Sequence, residues 1–271
     1  MKTYPRRPQD IDHLSHSSVS TFLRCPRQWA FLYLEGVPRR TNASLIRGTA
    51  VDRAAAHNLS QKIETHDDLP VGEVLEVAED AFRIAVDEAG GRDEVDWEGS
   101  NQARSLDSAI ELTRIHMHCH APLIQPAAVQ LRVSRELPSG REFVGFIDYV
   151  TTNDVVGDIK TGARRMGQDA ADTDLQPTAY AFALGYSVEF EFARLIDTGS
   201  KRAEEVIRTR RDESHVGWYA SVVGDVERAI DAGIFTANPT GWWCSAKACP
   251  AWVPCMVEHR LPHIPDFEPE E

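Results

Sequence analysis

Between residues 127 and 211 the chain changes its period, and no other feature limits the possible folds so strongly. VQLRV, REFVGFIDYV and DVVGDIK are short runs rich in Val, Ile and Phe, separated by Pro138-Ser139-Gly140 and Thr152-Asn153-Asp154. Short β-branched and aromatic runs between turn-forming clusters read as neighbouring strands. Asp174 to Tyr186 returns to helical composition, SVEFEFARLI alternates in period two, EEVIRTR reads as a further strand, and Asp212 to Phe235 as a helix. Upstream, Val19, Phe22 and Leu23, then Trp29, Leu32 and Tyr33, recur at helical spacing behind a Ser-rich start, and Pro26 divides this stretch with Cys25 at the joint. RGTAVDRAAAHNLSQKI reads as a helix opening at Gly48, and Val74 to Ala89 and Ala103 to His120 as two more. The expectation is a mixed α/β fold, a central sheet flanked by helices. We read one domain: a mainly helical part over 14–126, a sheet and following helix over 127–211, a helix and cysteine-rich segment over 212–260, and an acidic, disordered tail over 261–271.

Charge narrows the function. The 271 residues carry a net charge of -13, so a protein that simply coats nucleic acid is excluded. Residues 1–60 run against the trend, with nine Lys or Arg and four acids. That imbalance is either a phosphate-facing groove or chance on a solvated surface. No apolar run of membrane-spanning length exists, and MKTYPRRPQD lacks the apolar centre of a signal peptide, so a cytoplasmic protein without a membrane partner is expected.

The chemistry lies in the strands. Asp148 stands near the end of one and Asp158-Ile159-Lys160 at the end of the next. A tight turn between adjacent strands brings Asp148 and Asp158 together, and alternation puts Asp158 and Lys160 on one face. Two carboxylates and an ammonium of this kind can hold Mg²⁺ or Mn²⁺ beside a phosphate and activate water for phosphodiester hydrolysis. The alternative is a pair of ordinary strand ends with solvated acids.

These residues resemble the RecB-like branch of the PD-(D/E)xK nuclease superfamily. Gly145-Phe146-Ile147-Asp148 is similar to its G-x-x-D strand, Asp158-Ile159-Lys160-Thr161-Gly162 to its D-x-K-T-G strand, and Gln176 and Tyr180 to its Q-x-x-x-Y helix. The resemblance implies a restriction-endonuclease-like fold and a DNA exonuclease acting on single-stranded ends. Asp148 and Asp158, with the Ile159 carbonyl, are then metal ligands, Lys160 the water-activating group, and Gln176 and Tyr180 the residues that contact the DNA strand. The branch also carries G-x-x-x-H on an earlier helix; here Gly48 is followed four residues later by Asp52, which becomes the expected further ligand in place of histidine. As an alternative, Asp52 is an exposed helix acid. His57 lies too far around the helix to substitute.

Five cysteines is an odd count in a chain too large to need disulfides. Cys244, Cys249 and Cys255 form C-x4-C-x5-C, and Cys25 in LRCPRQW can close a four-thiol site. This resembles the iron–sulfur variety of the same branch, which includes the AddB nuclease domain and CRISPR-associated RecB-like exonucleases. The implied cofactor is a [4Fe–4S] cluster; zinc is the competing metal, and four unrelated thiols the remaining reading. Cys119 is expected as a buried free thiol, and His116 and His120 as surface histidines near a helix end, with a shared metal ion as the alternative. Arg208, Arg210 and Arg211 either contact phosphates or are solvated. The rival to a nuclease is a non-catalytic DNA-end-binding or assembly module serving a helicase, recombinase or integration complex in recombination, repair or CRISPR adaptation. Three intact catalytic-type residues argue against it.

Overall fold

The computed structural model describes residues 5–259. The acidic tail expected to be disordered lies outside the described residues. In chain order the elements are β1 (His13–Leu14), α1 (His16–Arg24), α2 (Pro26–Tyr33), α3 (Ala43–Thr65), α4 (Val71–Glu88) and α5 (Gln102–Cys119), then β2 (Pro126–Glu136), β3 (Glu142–Thr151) and β4 (Val155–Gly162). There follow α6 (Gln168–Thr173), α7 (Leu175–Leu184), β5 (Val188–Asp197), β6 (Arg202–Arg211), α8 (Glu213–Asp231) and α9 (Trp252–His259). Contacts divide the described residues into two compact units, the larger over 40–137 and 142–221, the smaller over 5–39, 138–141 and 222–259.

In the larger unit the strands run β2-β3-β4-β5-β6. Neighbours are antiparallel except β4 and β5, which are parallel across the α6–α7 crossover. The result is the mixed sheet flanked by helices that the sequence leads one to expect. Val51, Ala55 and Leu59 of α3 and Leu112 of α5 bury their apolar faces against Tyr149, Ile159, Ala193 and Leu195 of the sheet. Each fully buried side chain of this size contributes roughly 1.5–3 kcal/mol relative to exposure, which fixes α3 across the strands. That helix starts earlier than its sequence implies, because the Asn42 side chain accepts from Leu45 N and caps it six residues before Gly48. Gly48 is therefore a mid-helix residue; a Cβ there would stand 3.3 Å from Thr161 Oγ1, so the glycine lets α3 approach β4.

The smaller unit is built around Trp29, fully buried and stacked on Tyr33 at 5.1 Å and Phe235 at 5.8 Å. Pro26 does divide the first helical stretch, and Cys25 is both the last cap of α1 and the first cap of α2. Arg27, only 1% exposed, lies over the Phe31 ring and pairs with Glu35 and Glu258, which satisfies the charge that burial would otherwise penalise. No helix among the described residues is long and apolar enough to cross a membrane.

Candidate active site

β3 pairs with β2 at every residue but Asp148, and β4 with β5 from Val155 to Gly162, yet β3 and β4 pair only at Tyr149–Gly157 and Val150–Val156. Beyond those two pairs the strands split, and the candidate residues line the split. Asp148 reaches across it, its Oδ2 accepting from the Ile159 backbone N–H at 2.7 Å. Asp158, 1% exposed, sets Oδ1 3.0 Å from Lys160 Nζ and accepts there from Gln176 Nε2 at 2.7 Å. Its Oδ2 is buried without a hydrogen-bond partner. Asp52 enters from α3, and Gln130 Nε2 donates to its Oδ1 at 3.3 Å. The structure thus brings Asp52, Asp148, Asp158, Ile159, Lys160 and Gln176 to one notch.

Electrostatics there are unbalanced. Burial raises the Asp148 pKa to about 8, with Asp158 and Asp52 adding repulsion. Burial likewise raises Asp52, with the Asp158 charge adding to it, and raises Asp158 despite the nearby ammonium. Lys160 is held up too: burial favours its neutral form, and the Asp158, Asp148 and Asp174 carboxylates outweigh that. Three crowded carboxylates with one lysine lack positive charge. Among the described residues no group of three or more His, Cys, Asp or Glu is arranged to hold a metal ion. The donor chemistry nevertheless fits a hard divalent cation, since three acids repel one another and one offers a buried, unpartnered oxygen.

Gln130 was not visible in the sequence, where it is one polar residue in a strand. It has a positive φ of 49°, in the left-handed region that a non-glycine residue adopts at a cost of order 1–3 kcal/mol. It falls opposite Asp148, between the Val129–Tyr149 and Leu131–Ile147 pairs, where the ladder skips it and its amide turns to Asp52. Only the backbone bend would have given it away.

Tyr180 lies differently from the expectation that it contacts DNA. It is 5% exposed, its ring stacks on Phe190, and its hydroxyl donates to the Phe146 carbonyl at 2.6 Å while accepting from Gln176 Nε2. It braces the notch and has no ring face free for a base. The motif glycine explains itself by this ring: a Cβ on Gly145 would meet Tyr180 Cε1 at 3.2 Å. The aromatic that does face solvent is Phe146, 56% exposed and two residues before Asp148, with alternation placing both on one side of β3.

In the smaller unit Cys25, Cys244, Cys249 and Cys255 line one cavity of about 20 Å³, roughly the room of one water, under Phe31, Trp243 and Trp252. The Cys25 sulfur accepts backbone N–H groups from Gln28 and Asn238, both at 3.4 Å. Burial raises the Cys244, Cys249 and Cys255 thiols, Cys255 to about 11, and Cys25 adds to each shift. The four sulfurs line one space and one already receives two N–H donors, a donor chemistry suited to a thiolate-bound metal that would supply the charge to keep them ionised, although as they stand they are not arranged to hold one.

Several expectations need correction. His116 and His120 are 1% and 5% exposed, not on the surface: His116 pairs with Glu204 at 2.7 Å, and His120 lies 3.4 Å from Glu191. Carboxylates from β5 and β6 satisfy imidazoles that sequence spacing left alone. Cys119 is exposed rather than buried. Arg211 is buried and donates to Thr178, Thr209 and the carbonyls of Ala171 and Asp174, so it ties α6 and α7 to the sheet instead of meeting solvent or phosphate.

Comparison with known proteins agrees with this fold. The family model of the PD-(D/E)XK nuclease superfamily matches residues 13–256. A candidate exonuclease from Eubacterium rectale superposes with a TM-score of 0.54 and 13% identity, over 96% of this chain and 92% of that one, a likeness of fold. SSO0001 superposes at a TM-score of 0.43 and 13% identity, over 91% of this chain and 86% of the other, too distant to bear on the site. No curated protein matches.

Proposed function

The chain belongs to the PD-(D/E)XK nuclease superfamily, and from that premise we propose a cytoplasmic, metal-dependent DNA exonuclease of the RecB-like branch that works on single-stranded ends. The observation that carries this reading is the split between β3 and β4, with Asp148, Asp158 and Lys160 at its lip. Asp52, Asp148 and Asp158, with the Ile159 carbonyl, would hold Mg²⁺ or Mn²⁺. Bound there, the ion neutralises charge on the phosphate and lowers the pKa of water.

The chain's own groups do the rest. Lys160 keeps its proton beside three carboxylates and presents Nζ to the attacking water. Gln176 fixes Asp158 by Oδ1 and leaves Oδ2 open. Tyr180 holds the Phe146 carbonyl, so the Phe146 ring stands at the lip, where an unstacked base can lie on it. A duplex end has its bases already stacked, hence the preference for single strands. Cys25, Cys244, Cys249 and Cys255 would carry a structural [4Fe–4S] cluster, which needs more room than the one-water space between them, so the thiols would have to part to take it up.

The test is cleavage of end-labelled single- and double-stranded DNA by anaerobically purified protein with Mg²⁺ or Mn²⁺, beside Lys160→Ala. Metal-dependent shortening from one end, lost in the variant, is expected. Metal-independent binding without cleavage would instead assign an end-binding module for a helicase, recombinase or integration complex.

A further inference from the structure

Three carboxylates and one lysine meet at the notch, so a strand of phosphates entering it needs cations beyond Lys160. The sheet behind the notch has few to spare. Along β5 and β6, Arg202, Arg208 and Arg210 each lie within 3.4 Å of a carboxylate, and Arg211 is buried among its own hydrogen bonds. The remaining arginine of the two strands, Arg194, is half-buried and forms no ion pair with the described residues. Glu205, its partner across the β5–β6 ladder, spends its oxygens on Arg165 and the Met166 N–H instead.

Arg194 stands beside Lys160. The two are partners in the parallel β4–β5 ladder, so their side chains leave the same face of the sheet, the face that also carries Asp158. The Arg194 side chain then leans toward the end of β4, where a Cβ on Gly162 would stand 2.9 Å from its Nη2. Gly162 leaves the room in which the guanidinium lies. There Nη2 donates to the Arg164 carbonyl at 2.9 Å, which fixes the guanidinium plane. Nε is enclosed, whereas Nη1 makes no bond to the described residues and is open to solvent. Two residues of strand carry the chain from Lys160 to Gly162, about 6.6 Å at roughly 3.3 Å each, of the order of the step from one backbone phosphate to the next in an extended strand.

We propose that Arg194 binds the backbone phosphate next to the one held at the notch, so that the strand runs over the end of β4 and is gripped at two successive phosphates. This rests on the nuclease reading and adds to it that the recognised unit is a run of phosphates rather than a single diester. An arginine already paired with a carboxylate would have to break that pair to accept a phosphate; Arg194 keeps its charge and holds its plane in advance. It positions the strand and leaves the reacting bond to Lys160 and the carboxylates.

The test is fluorescence anisotropy of a labelled single-stranded oligonucleotide on the full chain carrying Lys160→Ala, which suppresses cleavage, with and without Arg194→Ala. The slope of log affinity against log salt should become shallower by about 0.7, the share of one phosphate on a single strand, and affinity at about 0.1 M salt should fall about fivefold. Arg194→Lys keeps the charge and should keep the slope. A neutral methylphosphonate walked along the oligonucleotide should weaken binding to the parent at the linkage beside the notch, and Arg194→Ala should erase the sensitivity at that linkage alone. Equal slopes and the same methylphosphonate pattern in parent and Arg194→Ala overturn the proposal, as does a loss spread over all linkages together with a lowered urea midpoint, which would make the arginine merely structural. A parent protein that binds no strand overturns the nuclease reading along with it, whereas binding that ignores Arg194 leaves that reading standing.

Discussion

Replacing Phe146 with alanine separates a structural from a substrate-binding role for the aromatic at the lip. Its ring is 56% exposed, so truncation costs well under the roughly 3–5 kcal/mol of a fully buried phenylalanine, about 1–2 kcal/mol, and the protein stays folded. If the ring carries a base, stacking contributes about 1–3 kcal/mol, and kcat/KM on single-stranded DNA falls about 5- to 150-fold. The loss belongs in KM, because Phe146 touches none of the reacting groups. The assay walks a single abasic position along a labelled oligonucleotide. Wild type should slow sharply when the gap reaches the stacked position, and Phe146→Ala should be indifferent to it there. Phe146→Trp should restore both the rate and the sensitivity. A variant that slows at the same abasic position by the same factor as wild type refutes the stacking.

Without metal, stability should fall as pH rises from about 4 to 8, because the folded protein keeps a proton on Asp148 that the unfolded chain has lost, at no more than about 1.4 kcal/mol per pH unit, with Asp52 and Asp158 shifted in the same direction. Urea unfolding in EDTA should show that slope and Mn²⁺ should flatten it; a flat profile in EDTA would mean the carboxylates are not crowded. Gly157→Ala should destabilise by about 3 kcal/mol, since the new Cβ would stand 1.9 Å from the buried Tyr149 ring, and an unchanged urea midpoint would contradict that packing. Cys25→Ser keeps a cap for the Gln28 N–H but removes one sulfur, so far-UV circular dichroism should be retained and bound metal lost. Elemental analysis of the wild type separates the proposed cluster, about four iron with acid-labile sulfide, from one zinc, and no bound metal, or equal metal in wild type and variant, would sink the four-cysteine site.

The strands and the carboxylate notch were legible because both are written in local pattern: period two, turn clusters, and a D-x-K triplet whose spacing survives folding. Side chains whose partners arrive from afar were not. His116 and His120 look solvent-exposed until Glu204 and Glu191 come in from β6 and β5. Arg211 looks like one of three surface cations until the α6–α7 junction closes over it with its carbonyls. Gln130 is marked by a backbone angle, and angles leave no trace in residue type. The start of α3 was misjudged for the opposite reason: Gly48 looks like a helix boundary, but it is a clearance for Thr161.

The short junction between β3 and β4 sets folding and chemistry in competition for the same backbone. Each further ladder pair that zipped up would hand the Ile159 N–H to a carbonyl of β3 and evict the Asp148 carboxylate that now takes it. A better-paired hairpin would be an inert one. Side chains that prop the strands apart, Asp148 from within and Tyr180 through the Phe146 carbonyl, are thus spacers as much as site residues. Anything wedged into the gap, an ion or a strand end, shifts the balance further from closure, so occupancy should register as slowed hydrogen exchange in β5 and α7 and none of the extra β3–β4 protection that zippering would bring.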